Sequence, residues 1–96
     1  MDYLLIDRDL LGEPVEVERL EPILHLELVS YRREPSGAYA VAAEHREELC
    51  AMLRLAYDLE INPAGIETIM HMRRRLRALQ AEVQQLRRAY RPLSAG

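Results

Sequence analysis

The last third of the chain constrains the fold more than any other stretch. Asn62-Pro63 is an N-cap residue followed by proline at the first helical position, and the next proline is Pro92. Between them, apolar residues fall at Ile69, Met72, Leu76, Leu79, Val83, Leu86 and Tyr90. The steps alternate between three and four, which is a narrow heptad seam rather than the broad apolar face of a helix lying on a core. This spacing predicts a helix over residues 62–91, about 43 Å long at about 1.5 Å per residue. A small domain cannot cover such a helix alone. A second copy, a partner, or the rest of the chain folded alongside must bury the seam. Residues 92–96 read as a flexible tail, and residues 1–61 as a head.

Ninety-six residues suffice for one domain and an arm. The formal charge of −3 is unevenly spread. Residues 1–30 hold eight acidic and two basic groups, residues 31–60 six and four, and residues 61–96 two and seven. The head is therefore acidic and the arm basic. All 13 cationic side chains are arginine. Cys50 is the single cysteine, which leaves no internal disulfide and no Cys-rich metal site. No apolar run approaches the roughly 18 residues of a membrane span. Met1-Asp2-Tyr3 lacks the basic start of a signal peptide, so the chain reads as soluble and cytoplasmic.

From the N-terminus, Tyr3-Leu4-Leu5-Ile6 suggests a short strand. Asp7 is placed to cap a short helix over Arg8–Leu11, and Gly12 to end it. A second helix carries Val15, Val17, Leu20, Ile23 and Leu24 as its apolar positions. Pro22 falls inside it, where proline costs roughly 3 kcal/mol. The expectation is two short pieces, or a late start with Pro22 in the first turn. Leu26–Val29 leads into Ser30-Tyr31-Arg32-Arg33. Glu34-Pro35-Ser36-Gly37 is a turn sequence, and Ala38–Val41 returns as the second strand of a small hairpin. From Ala43 to Leu59, Leu49, Met52, Leu53, Ala56 and Tyr57 recur at helical spacing. Glu44, Glu47 and Glu48 suit the positive end of that helix.

Helix, turn, helix, hairpin, helix, long helix is the order of a mainly α chain: a winged helix-turn-helix head with a small β-hairpin wing, then a coiled-coil arm. The order resembles the head of MerR-type regulators. Leu28-Val29 before the wing, Tyr39-Ala40-Val41 after it, and Leu53–Ile66 with its Pro63-Ala64-Gly65-Ile66 step resemble one branch of that group, the CbpM-type chaperone modulators. A long helix rich in Leu, Arg and Gln follows in both. The resemblance covers nearly the whole chain. It implies a protein that binds the J-domain of a DnaJ-like, CbpA-type co-chaperone and so limits both Hsp70 stimulation and the co-chaperone's own DNA binding. Pro22, which interrupts the second helix, and the unusually acidic N-terminal segment depart from the family's pattern and count against a helix-turn-helix activity on DNA.

The second helix would be the recognition helix of a DNA binder, which needs cations for phosphate and Arg, Lys, Asn or Gln for base edges. Here Glu16, Glu18 and Glu21 face a single Arg19, a field that repels DNA. Glu13, Glu16, Glu18 and Glu21, with apolar support from Leu24, are the candidate partner-binding residues. A plain solvated face is the alternative. Arg32 and Arg33 in the wing are the candidate DNA contacts of a competing reading, a dimeric MerR-type transcriptional regulator. Arg73-Arg74-Arg75 form a basic band, suited either to Glu82 of another chain or to solvent. The seam from Ile69 to Tyr90 is the candidate dimerisation surface, with an antiparallel pair favoured by the MerR resemblance.

His25, His45 and His71 lie on three elements, and none is spaced to share a metal on one helix face. Cys50 is expected as a small buried residue. No nucleophile sits beside a base, and there is no Gly-rich phosphate loop. The sequence thus reads as a non-enzymatic chain without cofactor or metal. With the resemblance, the expectation is a J-domain-binding modulator first, a DNA-binding regulator second, and a structural adaptor third.

Overall fold

The structure is a computed structural model, and residues 2–90 are described. The elements are β1 (Tyr3–Leu5), α1 (Arg8–Leu11), α2 (Val17–Leu24), β2 (Tyr31–Arg33), β3 (Tyr39–Ala42), a 3₁₀ turn (Ala43–His45), α3 (Arg46–Tyr57) and α4 (Pro63–Ala89). α1, the turn after it and α2 form the helix-turn-helix. β2 and β3 form the wing, and α4 is the arm.

Asp7 caps α1 as its position predicts: its Oδ1 accepts the Leu10 N–H at 2.9 Å. Gly12, at φ +77°, closes the helix in the left-handed conformation that favours glycine. α2 is one continuous helix, against the expectation of two pieces or a late start. Pro22 is its sixth residue and exposed, while Leu20, Ile23 and Leu24 are buried. Proline's missing N–H leaves the Glu18 carbonyl without its helical partner. The ring projects to solvent, so it displaces nothing in the core, and the three buried side chains hold the helix in one piece. Burial of each is worth about 1.5–3 kcal/mol.

The sheet holds three strands rather than the two of a hairpin, in the antiparallel order β1-β3-β2. The N-terminal run pairs with β3, Leu4 opposite Val41, while Arg32 pairs with Ala40 on the other edge. β3 is therefore central, and all four of its residues are buried. Alanine at 40 and 42 gives this strand the small side chains that permit burial on both faces. The wing turn closes with Gly37 N–H donating to the Glu34 carbonyl at 2.8 Å. Glu27 and Glu60 hold positive φ, 57° and 52°, and turn the chain after α2 and after α3 without a glycine.

α3 is shorter than the predicted 43–59 span. Its first three residues form the 3₁₀ turn and it ends at Tyr57, leaving Leu59 exposed. Cys50 is half-buried, not buried. α4 begins as its N-cap predicts, with Gly65 N–H donating to Asn62 Oδ1 at 2.8 Å. A Cβ on Gly65 would stand 2.8 Å from Ile61 Cγ2, so the Pro-Ala-Gly-Ile step needs its glycine for close approach. The arm ends at Ala89; the predicted last residue, Arg91, and the tail 92–96 lie outside the described residues.

One core unites these elements: Ile6, Leu20, Ile23, Leu24, Val41, Leu49, Met52, Leu53, Ile66 and Met70 among others. Only the first two turns of α4 take part, through Ile66 and Met70. From Met72 onward the seam is bare, and the head does not fold alongside it.

Candidate partner-binding face

α2 turns its apolar stripe inward and so must present its acids outward. Glu13 and Pro14 precede it, Glu16 is its N-cap residue, and Glu13, Glu16 and Glu18 are exposed; Glu21 is half-buried. Leu24, assigned above as apolar support for a partner, is 0% exposed. It holds α2 from beneath and offers no surface. The apolar atoms that α2 does expose belong to Val17, at 44%, read above as one of the helix's apolar positions, and to Pro22. Val17 is the first residue of the helix and lies between Glu16 and Glu18.

The single cation of α2 is already engaged. Arg19 lies 3.6 Å from the Glu16 carboxylate, and its guanidinium stacks on the Tyr57 ring, 3.9 Å from the centroid. Burial raises the Tyr57 hydroxyl pKa above 10.0; Arg19 opposes the rise, and Glu16 and Glu13 add to it. Glu13 and Glu16 are thus brought into one electrostatic neighbourhood with Tyr57. A cleft of about 360 Å³ opens there, bounded by Leu10, Leu11, Glu13 and Tyr57. The role of Tyr57 as Arg19's platform joins residues 38 positions apart, and sequence spacing carries no signal of it.

The wing arginines are occupied as well. Arg32 Nε donates to Glu34 at 2.9 Å and its guanidinium lies 4.5 Å from the centre of the Tyr3 ring. Arg33 Nε donates to the Gly37 carbonyl and its guanidinium lies 5.4 Å from the Tyr39 ring centre. Both remain exposed, so a phosphate could reach them in competition with these contacts.

The arm carries two faces. Met72, Leu76, Leu79, Val83, Leu86 and Tyr90 are exposed along one, and Ile69, at its head end, is half-buried. Ile66, Met70 and Arg74 line the other. Arg74 Nη2 donates to the Leu28 carbonyl at 2.5 Å and to Glu48 Oε2 at 2.8 Å. The band Arg73-Arg74-Arg75 is therefore not uniform, because its middle member belongs to the head. Arg73 is half-buried and reaches Met70 Sδ at 3.8 Å. The four-residue steps from 66 to 70 to 74 place these residues on one stripe, but spacing alone does not say that the stripe faces the head.

Among the described residues no group of three His, Cys, Asp or Glu could hold a metal, and no helix is long and apolar enough to cross a membrane.

The architecture is a helix-turn-helix with a small wing, carried on a long helix whose outer seam is bare. The family model described as MerR HTH family regulatory protein matches residues 6–88, and the chain belongs to that family. No curated protein and no solved structure matches the chain.

Proposed function

We propose that this MerR-family chain uses its helix-turn-helix as a protein-docking face, and that it binds the J-domain of a DnaJ- or CbpA-type co-chaperone and regulates its Hsp70-related and DNA-related activity. One observation carries the reading. α2, the element that enters the major groove in helix-turn-helix proteins, exposes glutamates, and its only arginine is held against Glu16 and Tyr57. A phosphate array needs cations where this helix presents carboxylates. A basic helix, the feature J-domains typically present to Hsp70, is complementary to it.

A second copy is the natural cover for the arm's seam. An antiparallel pairing that sets Met72 against the partner's Val83 and Leu76 against the partner's Leu79 lays Arg75 beside the partner's Glu82 twice, by symmetry. In a parallel pair, Glu82 would instead meet the partner's Arg87. The competing reading, a dimeric MerR-type transcriptional regulator, is favoured by the exposed wing residues Arg32 and Arg33 and by the basic arm.

The test is calorimetric titration of a cognate J-domain into wild type and into a Glu16→Lys, Glu18→Lys double variant, at two salt concentrations. Exposed ion pairs are each worth about 0–1 kcal/mol and are screened by salt, so both reversals are needed together. Several-fold weaker binding by the variant, and weaker wild-type binding at higher salt, are expected. Affinity indifferent to both would remove α2 as the docking face.

A further inference from the structure

We infer that Arg74 is the positioning residue that fixes the direction in which the arm leaves the head. α4 touches the core through Ile66 and Met70, one turn apart on a single line of the helix. Ile69 and Arg73 are half-buried beside that line, but apolar contacts are non-directional and do not by themselves fix an angle. Arg74 lies one turn further along the same stripe and supplies what they lack. It is a directional, charge-assisted contact to two separate parts of the head at once, the carbonyl of Leu28 and the carboxylate of Glu48.

Both acceptors are held firmly. Leu28 and Val29 are buried, Glu27 before them is fixed in the left-handed region, and the Ser30 N–H after them donates to His45 Nδ1 at 2.9 Å. Glu48 sits on α3, whose neighbour Leu49 is fully buried. The tie thus joins the arm to the connection between α2 and the wing, and to α3. Beyond Arg74 the arm is exposed as far as Tyr90, so no later contact with the head corrects its angle.

The consequence is one of leverage. From Ile66 to Ala89 the helix runs about 34 Å, and a tilt of about 10° at the joint moves its far end by about 6 Å. In a dimer formed through the arms, which rests on the functional reading above, Arg74 would set the separation and orientation of the two acidic faces.

The experiment measures the joint within one chain and needs neither a J-domain nor a dimer. Spin labels are placed at Ser36→Cys in the wing turn and Gln85→Cys on the arm, in a Cys50→Ser background. The labelled chain is diluted with unlabelled chain, so that only distances within a chain are read. One narrow distance distribution is expected with Arg74 in place. Arg74→Ala should shift or broaden it by up to about 5 Å, the displacement of residue 85 for the same tilt, with the helix content by circular dichroism unchanged. Arg74→Lys, which keeps the charge but not the fork, should restore it in part, and Glu48→Gln should fall between. An unchanged distribution in Arg74→Ala overturns the proposal. So does loss of helix in that variant, which would make Arg74 a folding residue. A J-domain affinity unaffected by α2 reversals would leave this result standing, so the two failures are distinguishable.

Discussion

Met70 and Met72 are two residues apart on α4, which is about 200° around the helix, and the structure gives them opposite environments. Met70 is 2% exposed among core side chains; Met72 is 65% exposed on the bare seam. Truncation to alanine should therefore separate them. Met70→Ala removes a buried side chain and leaves a cavity, a loss of about 2–5 kcal/mol. That is a large fraction of the roughly 5–15 kcal/mol of a typical domain. In dilute, monomeric protein Met72→Ala should cost no more than about 0.5 kcal/mol, the usual range for surface changes. If arms pair, its cost should grow with protein concentration, because association stabilises the folded chain by mass action. Urea unfolding of both variants and wild type, each at a low and a high protein concentration, makes the comparison. A Met72→Ala loss equal to that of Met70→Ala at low concentration would mean that the head buries the seam, and that the helix is rotated from the orientation described. A Met72→Ala loss that is small at every concentration would count against arm pairing.

Three further outcomes follow from the same geometry. Asn62→Ala removes the acceptor for the Gly65 N–H and should cost about 1 kcal/mol in thermal unfolding, with Asn62→Ser recovering most of it. Spectrophotometric titration should show Tyr57 ionising above 10.0, chiefly because burial disfavours the phenolate. The sign is that of a raised folded pKa: its stabilising contribution is complete below pH 10.0 and is lost as pH rises through the folded value, and Tyr57→Phe should remove that loss. Sedimentation equilibrium should show self-association of the wild type that weakens in Leu79→Asp; a wild type still monomeric at high micromolar concentration would contradict pairing through the seam.

The arm was legible because capping and heptad spacing are local signals: Asn62-Pro63 gives its start, and the three-four alternation gives its outer face. Its inner face was not. Ile66 and Met70 are as apolar as the seam residues, and only the packed head decides which apolar residues point inward. The same holds for Arg74, read from sequence as the middle of a basic band whose members 73 and 75 flank the seam. Its acceptors are 46 and 26 positions away, a separation that no window along the chain spans. In the head, Asp7, Gly12 and the 34–37 turn announced themselves by turn chemistry. β1 pairing with β3 did not, since its partners are set by tertiary contacts. Pro22 misled because propensity argues from the backbone alone, while α2 is held by three buried side chains and needs only the exposed side of the helix to accept a proline. The acidic character of the candidate face was plain in composition. That Leu24 lies beneath it and Val17 upon it was not, because a helix this short satisfies the apolar pattern in more than one rotation.

The most direct measurement of the central claim sets protein against DNA on the same sample. The chain, labelled at Cys50, is titrated with a cognate J-domain and, separately, with duplex DNA at about 150 mM salt, where unspecific phosphate attraction is largely screened, and anisotropy is followed. The account predicts a saturable J-domain complex that is weakened several-fold by Glu16→Lys with Glu18→Lys, and only weak DNA binding without sequence preference. A sequence-specific, sub-micromolar DNA complex, with no response to the J-domain, would contradict it.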